Sequence, residues 1–277
     1  MKHRGKCVRM IAAFAGAMIA SFSFGAQAAP VGSPAEINGK VYVCGTKLCN
    51  QHDNPIQLRG MSTHGTQWFS QCITNQSLNV LAKDWKADVI RVSTYVQEDG
   101  YETDPLYFTN LAHEIIEKAT ARGLYVIVDW HMLDPGDPYY NLQRAKAFFT
   151  RIATRHKDKT NILYEVANEP NSFSFGEPNG LTWSRLKSYH ERIIPVIRAI
   201  DADAVVLVGT PGWSSLAVSD GGNERVVIRN PVAAENIMYT FHFYAASHGI
   251  YHLQALSRAA DQIPMFVTEF GTQDYAG

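Results

Sequence analysis

The stretch NILYEVANEP, residues 161–170, begins as a buried β-strand and ends in polar side chains. Its first half contains Ile, Leu, Tyr and Val, which favour strands. Asn168 and Glu169 follow directly where the apolar run stops. A carboxylate next to a buried strand costs free energy unless it has a partner. The stretch therefore raises the question of what Glu169 does there.

The same pattern, an apolar run that ends in polar or aromatic residues, recurs along the chain. The other runs are IQLRGMSTHG, DVIRVSTYV, LYVIVDWH, VVLVGTPGW, IMYTFHFY and MFVTEFG. Segments with helical spacing of apolar residues separate most of them, most clearly at 111–123 and 183–201. Strands that alternate with helices predict parallel β/α units.

An open doubly wound sheet and a closed barrel both fit this alternation, and the strand ends favour the barrel. Neither a GxGxxG motif after a strand nor a P-loop is present. The strand-end residues are His64, Tyr95, Asp129, Trp130, His131, Asn168, Glu169, Trp213, His242, Tyr244 and Glu269. In a barrel all these ends meet on one face, where active sites lie. The chain is therefore predicted to fold as an α/β protein, a (β/α)8 TIM barrel, with Trp130 in its core.

Two glutamates, Glu169 and Glu269, end strands that a barrel would bring together. Glycoside hydrolysis uses such a pair: one carboxyl group protonates the leaving oxygen, and the other attacks the anomeric carbon or activates water. Trp and Tyr offer flat faces to sugar rings, whereas Asn, His and Arg bond hydroxyl groups. Arg91, inside an apolar run, needs a carboxylate partner, and an ionised nucleophile would serve.

The N-terminus indicates an exported protein, and the charge balance limits its partners. Residues 1–28 have the basic start, apolar middle and Ala-Gln-Ala end of a signal peptide, with a membrane anchor as the alternative. Residues 29–37 are expected to form a flexible arm, and 38–277 the catalytic domain. The chain has 25 basic and 26 acidic residues and no basic run after the leader, which argues against nucleic acid or a membrane as partner.

The cysteines fit a secreted protein without a metal site. Cys44 and Cys49 flank a Gly-containing turn and are predicted to form a disulfide; reduced thiols, with Cys72 buried, are the alternative. Zinc binding by His64, His131, His242 and the two glutamates is the rival chemistry. The sequence has no HExxH motif or short His pair to support it. No metal and no cofactor are expected.

From about residue 38 onward the chain resembles the cellulases of glycoside hydrolase family 5, especially bacterial secreted endoglucanases. The resemblance is carried by IQLRGMSTHGTQWF, DWKADVIRVSTYVQEDGYETDP, GLYVIVDWHML, NILYEVANEPN, LVGTPGW, FHFYAASH and FVTEFGT, in this order. It implies that Glu169 is the general acid/base and Glu269 the nucleophile of a retaining enzyme. Asn168 would bond the sugar 2-hydroxyl, and Arg91 and Tyr244 would hold Glu269.

The resemblance also implies roles for the other strand-end residues. His131 and His242 would lie beside the acid and the reacting sugar. His64, Trp68 and Tyr95 would bind sugar on the non-reducing side, and Trp213 would form a platform near the cleavage point.

The function implied is a secreted, monomeric endo-β-1,4-glucanase that cleaves internal bonds of cellulose by double displacement. A β-mannanase, a mixed-linkage glucanase, or an inactive glucan-binding fragment are the alternatives. The chain departs from the family pattern because it ends eight residues after Glu269. We therefore expect a barrel truncated after its seventh strand, without the aromatic residue that an eighth strand would supply.

Overall fold

Ten strands in two sheets form the framework of the computed structural model, which describes residues 28–172 and 181–276. The first sheet is antiparallel and contains β1 (Tyr42–Cys44), β2 (Lys47–Cys49) and β3 (Pro55–Ile56). The second is parallel and contains β4 (Gly60–Ser62), β5 (Val89–Tyr95), β6 (Tyr125–His131), β7 (Ile162–Glu165), β8 (Val205–Val208), β9 (Ile237–Tyr244) and β10 (Met265–Gly271).

Helices connect the parallel strands, as the sequence predicted. The α-helices are α1 (Pro34–Asn38), α2 (Thr66–Phe69), α3 (Asn75–Asn79), α4 (Pro105–Thr120), α5 (Leu142–His156), α6 (Trp183–Arg198), α7 (Pro211–Ser214), α8 (Arg225–Ile228) and α9 (Ile250–Ala260). A π-helix spans Val80–Asp84, and 3-10 turns span Ser70–Cys72 and Pro138–Asn141.

The parallel sheet curls into a barrel. Its strands follow one another in the order β10-β9-β8-β7-β6-β5-β4, so β5 and β10 are far apart in the sheet. Nevertheless Arg91 on β5 donates a hydrogen bond of 2.9 Å to Glu269 on β10. A flat sheet would keep these side chains apart. The barrel prediction is therefore confirmed, with seven parallel strands in the described residues and β4 and β10 as the two edges.

Side chains alternate between the two faces of each strand, and this alternation divides the core into two layers. Side chains such as Leu163 and Leu207 point into the barrel and pack with one another. Their neighbours Tyr164 and Val206 point outward and pack under the helices. Trp130 is fully buried in this outer layer, as predicted. The inward positions near the carboxyl ends of the strands carry polar residues, and these build the site described below.

The stretch 29–37 is not the flexible arm that the sequence predicted. Pro34 starts helix α1, and Ala35 is buried among the residues at the amino-terminal end of the barrel. The backbone N–H of Ala35 donates to the carbonyl of Gly123 at 2.9 Å. This apolar contact and hydrogen bond anchor the segment, and short polar sequence alone does not reveal either of them.

The N-terminal sheet contains a disulfide between Cys44 and Cys49, whose Cα atoms are 5.8 Å apart. Cys72 is a free thiol and is exposed, contrary to the alternative that buried it. The predicted signal peptide, residues 1–28, lies outside the described residues except for its last position. Among the described helices, none has both the length and the apolar character needed to cross a bilayer.

Candidate active site

The turn after β7 places Asn168 and Glu169 at the mouth of the barrel. The backbone N–H of Asn168 donates to the carbonyl of Trp130 at 3.2 Å, and that of Glu169 donates to Met132 at 3.3 Å. On the other side Gly209 packs so closely that a Cβ there would lie 2.3 Å from the carbonyl oxygen of Ala167. Backbone contacts from both neighbouring strands therefore hold Glu169 in position.

Strand β10 delivers Glu269 through a β-bulge. Val267 pairs with Phe241 and Glu269 pairs with His242, so Thr268 is an extra residue in the ladder. In a regular strand, adjacent side chains point to opposite faces. Here Thr268 and Glu269 both face the barrel interior, where they contact Glu165 and Arg91 respectively. Bulges commonly redirect side chains next to active sites.

The Arg91 guanidinium links the carboxylates at the centre of the barrel and is 2% exposed. It contacts Glu165 through Nε at 2.7 Å, Glu269 through Nη1 at 2.9 Å, and Asp129 through Nη2 at 3.0 Å. Nη2 also donates to Oδ1 of Asn168 at 2.6 Å. The expected partner of Arg91 was the nucleophile alone, whereas the structure shows three carboxylates around it.

Glu269 is held in its ionised form. Its Oε2 accepts from Arg91, and its Oε1 accepts from the phenol of Tyr244. Burial by itself would raise the pKa of Glu269, but the positive charges of His242 and Arg91 and the Tyr244 hydrogen bond lower it well below its usual range. Burial, together with the charge of Glu269, raises the pKa of Tyr244, so this phenol keeps its proton. An ionised carboxylate at this point is suited to nucleophilic attack.

Glu169 is bonded to His242, which is 1% exposed. Nδ1 of His242 lies 3.0 Å from Oε1 of Glu169, and Nε2 lies 2.8 Å from the hydroxyl of Thr268. Burial opposes protonation of His242, but the charges of Glu269, Glu165 and Glu169 raise its pKa to about 10. An imidazolium at this position donates to Oε1 of Glu169.

A second histidine supports Asn168. Nδ1 of His131 bonds Oδ2 of Asp129 at 2.6 Å, and its Nε2 lies 3.3 Å from Nδ2 of Asn168. Burial, with a further contribution from Glu165, raises the pKa of Asp129 despite the opposing charge of Arg91. The ring of Tyr95 stacks on His131 with centroids 4.0 Å apart. These contacts fix the amide of Asn168 next to the two glutamates.

Aromatic rings extend from this centre along the barrel mouth. Tyr95 contacts Trp68 at 5.0 Å between centroids, and His64 contacts Trp68 at 5.4 Å. Trp68 is 39% exposed, so its face is available to a ligand. Trp213 has the left-handed φ of 55°, and its backbone N–H donates to the carbonyl of Pro170. Trp213 is thereby tied to the turn that carries Glu169.

The two glutamates approach each other closely. One oxygen of Glu169, one nitrogen of His242 and one oxygen of Glu269 all lie within 4.8 Å of one another. Three such atoms are a possible metal-ligand set, but both nitrogens of His242 already face protein oxygens. Arg91 and Tyr244 likewise occupy the oxygens of Glu269. A cation would have to displace these contacts beside two positive side chains, so the absence of a metal remains our prediction.

Three residues of the centre were not given a role from the sequence: Glu165, Thr268 and Asp129. Glu165 and Asp129 are acidic residues inside apolar runs, and both are fully buried. That placement was a visible signal, because a buried carboxylate requires a partner. Thr268 gave no signal, since a regular strand would turn it or Glu269 away from the interior.

The family comparison matches a model described as Cellulase (glycosyl hydrolase family 5) over residues 49–277. Endoglucanase E-5 of Thermobifida fusca is 61% identical over 246 residues, which are 89% of this chain and 51% of that protein. Endoglucanase CelA of Streptomyces lividans is 58% identical over 241 residues, 87% of this chain and 50% of that protein. The chain thus spans about half the length of these curated relatives.

Solved structures show the same similarity. The catalytic domain of Thermobifida fusca endoglucanase Cel5A superimposes with a TM-score of 0.85 at 61% identity, covering 89% of this chain and 78% of that one. A glutamate-to-glutamine variant of that domain, in complex with cellotetraose, matches with the same TM-score at 60% identity. It covers the same shares of the two chains.

Proposed function

Since the chain belongs to the cellulases of glycosyl hydrolase family 5, we propose that the protein is an endo-β-1,4-glucanase. The observation that carries the proposal is the approach of Glu169 and Glu269, which place one oxygen each within 4.8 Å. Retaining glycosidases have carboxyl groups about 5–5.5 Å apart, whereas inverting enzymes need about 6.5–9.5 Å to admit water. One oxygen of each carboxyl group thus lies nearer to the other than the inverting arrangement needs, and together with the family this supports double displacement.

In the first step, Glu269 attacks the anomeric carbon while Glu169 gives its proton to the glycosidic oxygen. The bond to the leaving sugar breaks, and a covalent glycosyl–Glu269 ester forms. In the second step, Glu169 takes a proton from water, and the resulting hydroxide displaces Glu269. Arg91 and Tyr244 stabilise the carboxylate before attack and after release, and Asn168 is placed to bond the 2-hydroxyl of the sugar.

A β-glucan chain is the proposed substrate. Cellotetraose is bound in the structure of the glutamate-to-glutamine variant of the similar Thermobifida fusca domain. In this chain Trp68, Tyr95 and His64 would contact sugar rings on the non-reducing side, and Trp213 would contact the ring beyond the cleavage point. The protein is further proposed to be exported by residues 1–28 and to act as a monomer without cofactor.

The test is hydrolysis of carboxymethylcellulose, lichenan and mannan by the purified protein, with Glu169→Gln as the matched control. With carboxymethylcellulose we expect the release of reducing ends and a rapid fall in viscosity. EDTA should change neither result. If the protein hydrolyses mannan or lichenan faster than carboxymethylcellulose, that polymer replaces cellulose as the proposed substrate. Binding without release of reducing ends would show a glucan-binding protein instead.

A further inference from the structure

Glu165 is a carboxylate of the site that is closed off from the cleft by burial. It is fully buried on β7, four residues before Glu169. Its Oε2 accepts from Nε of Arg91 at 2.7 Å, and its Oε1 accepts from Nη2 at 3.3 Å. Oε1 also accepts the proton of the Thr268 hydroxyl at 2.8 Å. Burial alone would raise the pKa of Glu165, but Arg91 and the nearby His242 lower it to about 2.

From these contacts we propose that Glu165 is a positioning residue that holds both catalytic glutamates in place. It acts on Glu269 through Arg91, and on Glu169 through Thr268 and His242. The inference rests on the proposed function, because it concerns the same reaction. Glu165 touches no substrate, and it acts only through these intermediate side chains.

The contact towards the nucleophile depends on the orientation of Arg91. The Glu165 carboxylate accepts from Nε and Nη2, which fixes the plane of the guanidinium. Nη1 then lies on the side that faces Glu269, at 2.9 Å. Without Glu165 the guanidinium would be free to rotate towards Asp129, its other close carboxylate.

The contact towards the acid/base depends on the direction of hydrogen bonds. The Thr268 hydroxyl has one proton, and when it donates that proton to Glu165 its oxygen accepts from Nε2 of His242. Nδ1 of His242 faces the carboxylate oxygen of Glu169, so this nitrogen also donates. His242 is therefore held as an imidazolium, with Glu165, Glu169 and Glu269 as the carboxylates around it and Arg91 as the other cation nearby.

Removing the charge of Glu165 would change this arrangement. The Thr268 hydroxyl could then reverse and donate to Nε2, so that His242 becomes neutral. The β-bulge explains how Thr268 reaches this position, because a regular strand carrying Glu269 inward would turn its neighbour outward. The extra residue thus adds an inward hydroxyl to a strand that already presents the nucleophile.

A simpler reading is that Glu165 only neutralises Arg91. The two readings differ at Thr268: Thr268→Val removes the hydroxyl, keeps the side-chain shape and leaves the Arg91–Glu165 pair intact. Our proposal requires this variant to affect catalysis, whereas simple neutralisation of Arg91 does not. Thr268→Ser restores the hydroxyl and is the conservative partner of this variant.

The experiment measures kcat and KM on a soluble cello-oligosaccharide, and the pKa of His242 by NMR of 15N-labelled imidazole. We expect Glu165→Gln to lower kcat about 100-fold, with KM changed less than about threefold, because the catalytic groups are misplaced. Thr268→Val should lower kcat about tenfold, and Thr268→Ser should recover most of that loss. In Glu165→Gln and Thr268→Val the pKa of His242 should fall.

Asp201→Asn provides the control for loss of a buried carboxylate. Asp201 bonds Tyr164 and lies 3.6 Å from Lys40, away from the barrel mouth. This variant should lose stability but keep kcat. Normal kcat in Glu165→Gln, or normal kcat and an unchanged His242 titration in Thr268→Val, overturns the proposal. If Glu165→Gln does not fold, the comparison of Thr268→Val with Thr268→Ser decides whether the proposal holds. A wild-type protein inactive on every glucan would contradict the proposed function instead, and the His242 titration would still test the hydrogen-bond chain.

Discussion

Glu169 and Glu269 are the same residue type at similar strand ends, but their neighbours differ. Arg91 and Tyr244 both donate to Glu269, which is thereby kept ionised. Glu169 accepts at Oε1 from His242. The proposed division of roles between nucleophile and acid/base rests on these different surroundings of the two carboxylates.

The first prediction separates these two roles. Glu269→Gly should abolish hydrolysis of an activated aryl cellobioside, and azide should restore turnover by occupying the vacated space as a nucleophile. Glu169→Ala should keep much of its rate on the same substrate, because a good leaving group needs little protonation. Equal behaviour of the two variants, with and without azide, would show that the roles are assigned wrongly.

The second prediction concerns pH. Glu269 must be ionised to attack, so activity is lost as the pH falls through its pKa, which the site holds low. Tyr244→Phe removes one donor to this carboxylate. The pKa of Glu269 should therefore rise, the acid limb of kcat/KM should move to higher pH, and kcat should fall about tenfold. An acid limb identical to that of the wild type would contradict this account.

Helix α4 is an element that supports the strands from which the site is built. Helix α4 connects β5 to β6 and buries Phe108, Ile115 and Ile116 against the outer layer of the barrel. Its first turn contains Pro105, and the side chain of Asp104 accepts from the backbone N–H of Tyr107 at 2.9 Å. This cap satisfies one of the free N–H groups at the start of the helix.

The third prediction tests that cap. Asp104→Ala should lower the free energy of unfolding by about 1 kcal/mol. Asp104→Asn keeps an acceptor at the same place and should stay within a few tenths of a kcal/mol of the wild type. Chemical denaturation followed by circular dichroism measures both variants. If Ala and Asn are equally destabilising, the side-chain hydrogen bond does not stabilise this helix.

At the scale of the whole molecule, three helices carry buried histidines against the barrel. His113 on α4 bonds His156 on α5 at 2.9 Å, and His190 on α6 bonds the carbonyl of Gly209 at 2.9 Å. Burial lowers the pKa of His113 and His190 to about 4, and that of His156 to about 3. All three are therefore neutral at pH 7.

The fourth prediction follows from the sign of these shifts. An unfolded histidine titrates near 6.5, so between about pH 6.5 and 4 the unfolded chain binds more protons than the folded one. The stability that these three neutral histidines contribute should be fully present above pH 6.5 and should decrease as the pH falls through this range. Urea unfolding at several pH values should show a shallower decrease for His156→Gln, which cannot take up a proton. Parallel curves for the two proteins would contradict the prediction.

Two features could be predicted from the sequence alone: the alternation of strands and helices, and the two glutamates at the strand ends. Both are local features: apolar runs of strand length identify buried parallel strands, and a polar residue directly after such a run marks the carboxyl end. The pairing of Arg91 with a carboxylate was also readable, because a buried guanidinium needs one.

The folded structure was needed to show which carboxylates surround Arg91 and how closely Glu169 and Glu269 approach each other. Glu165, Asp129 and Glu269 meet there because the sheet curls, and sheet curvature is a property of all seven strands rather than of any one. The inward turn of Thr268 depends on a bulge, which shifts side-chain alternation by one residue without a local signal. The docking of 29–37 likewise depends on a distant partner, Gly123.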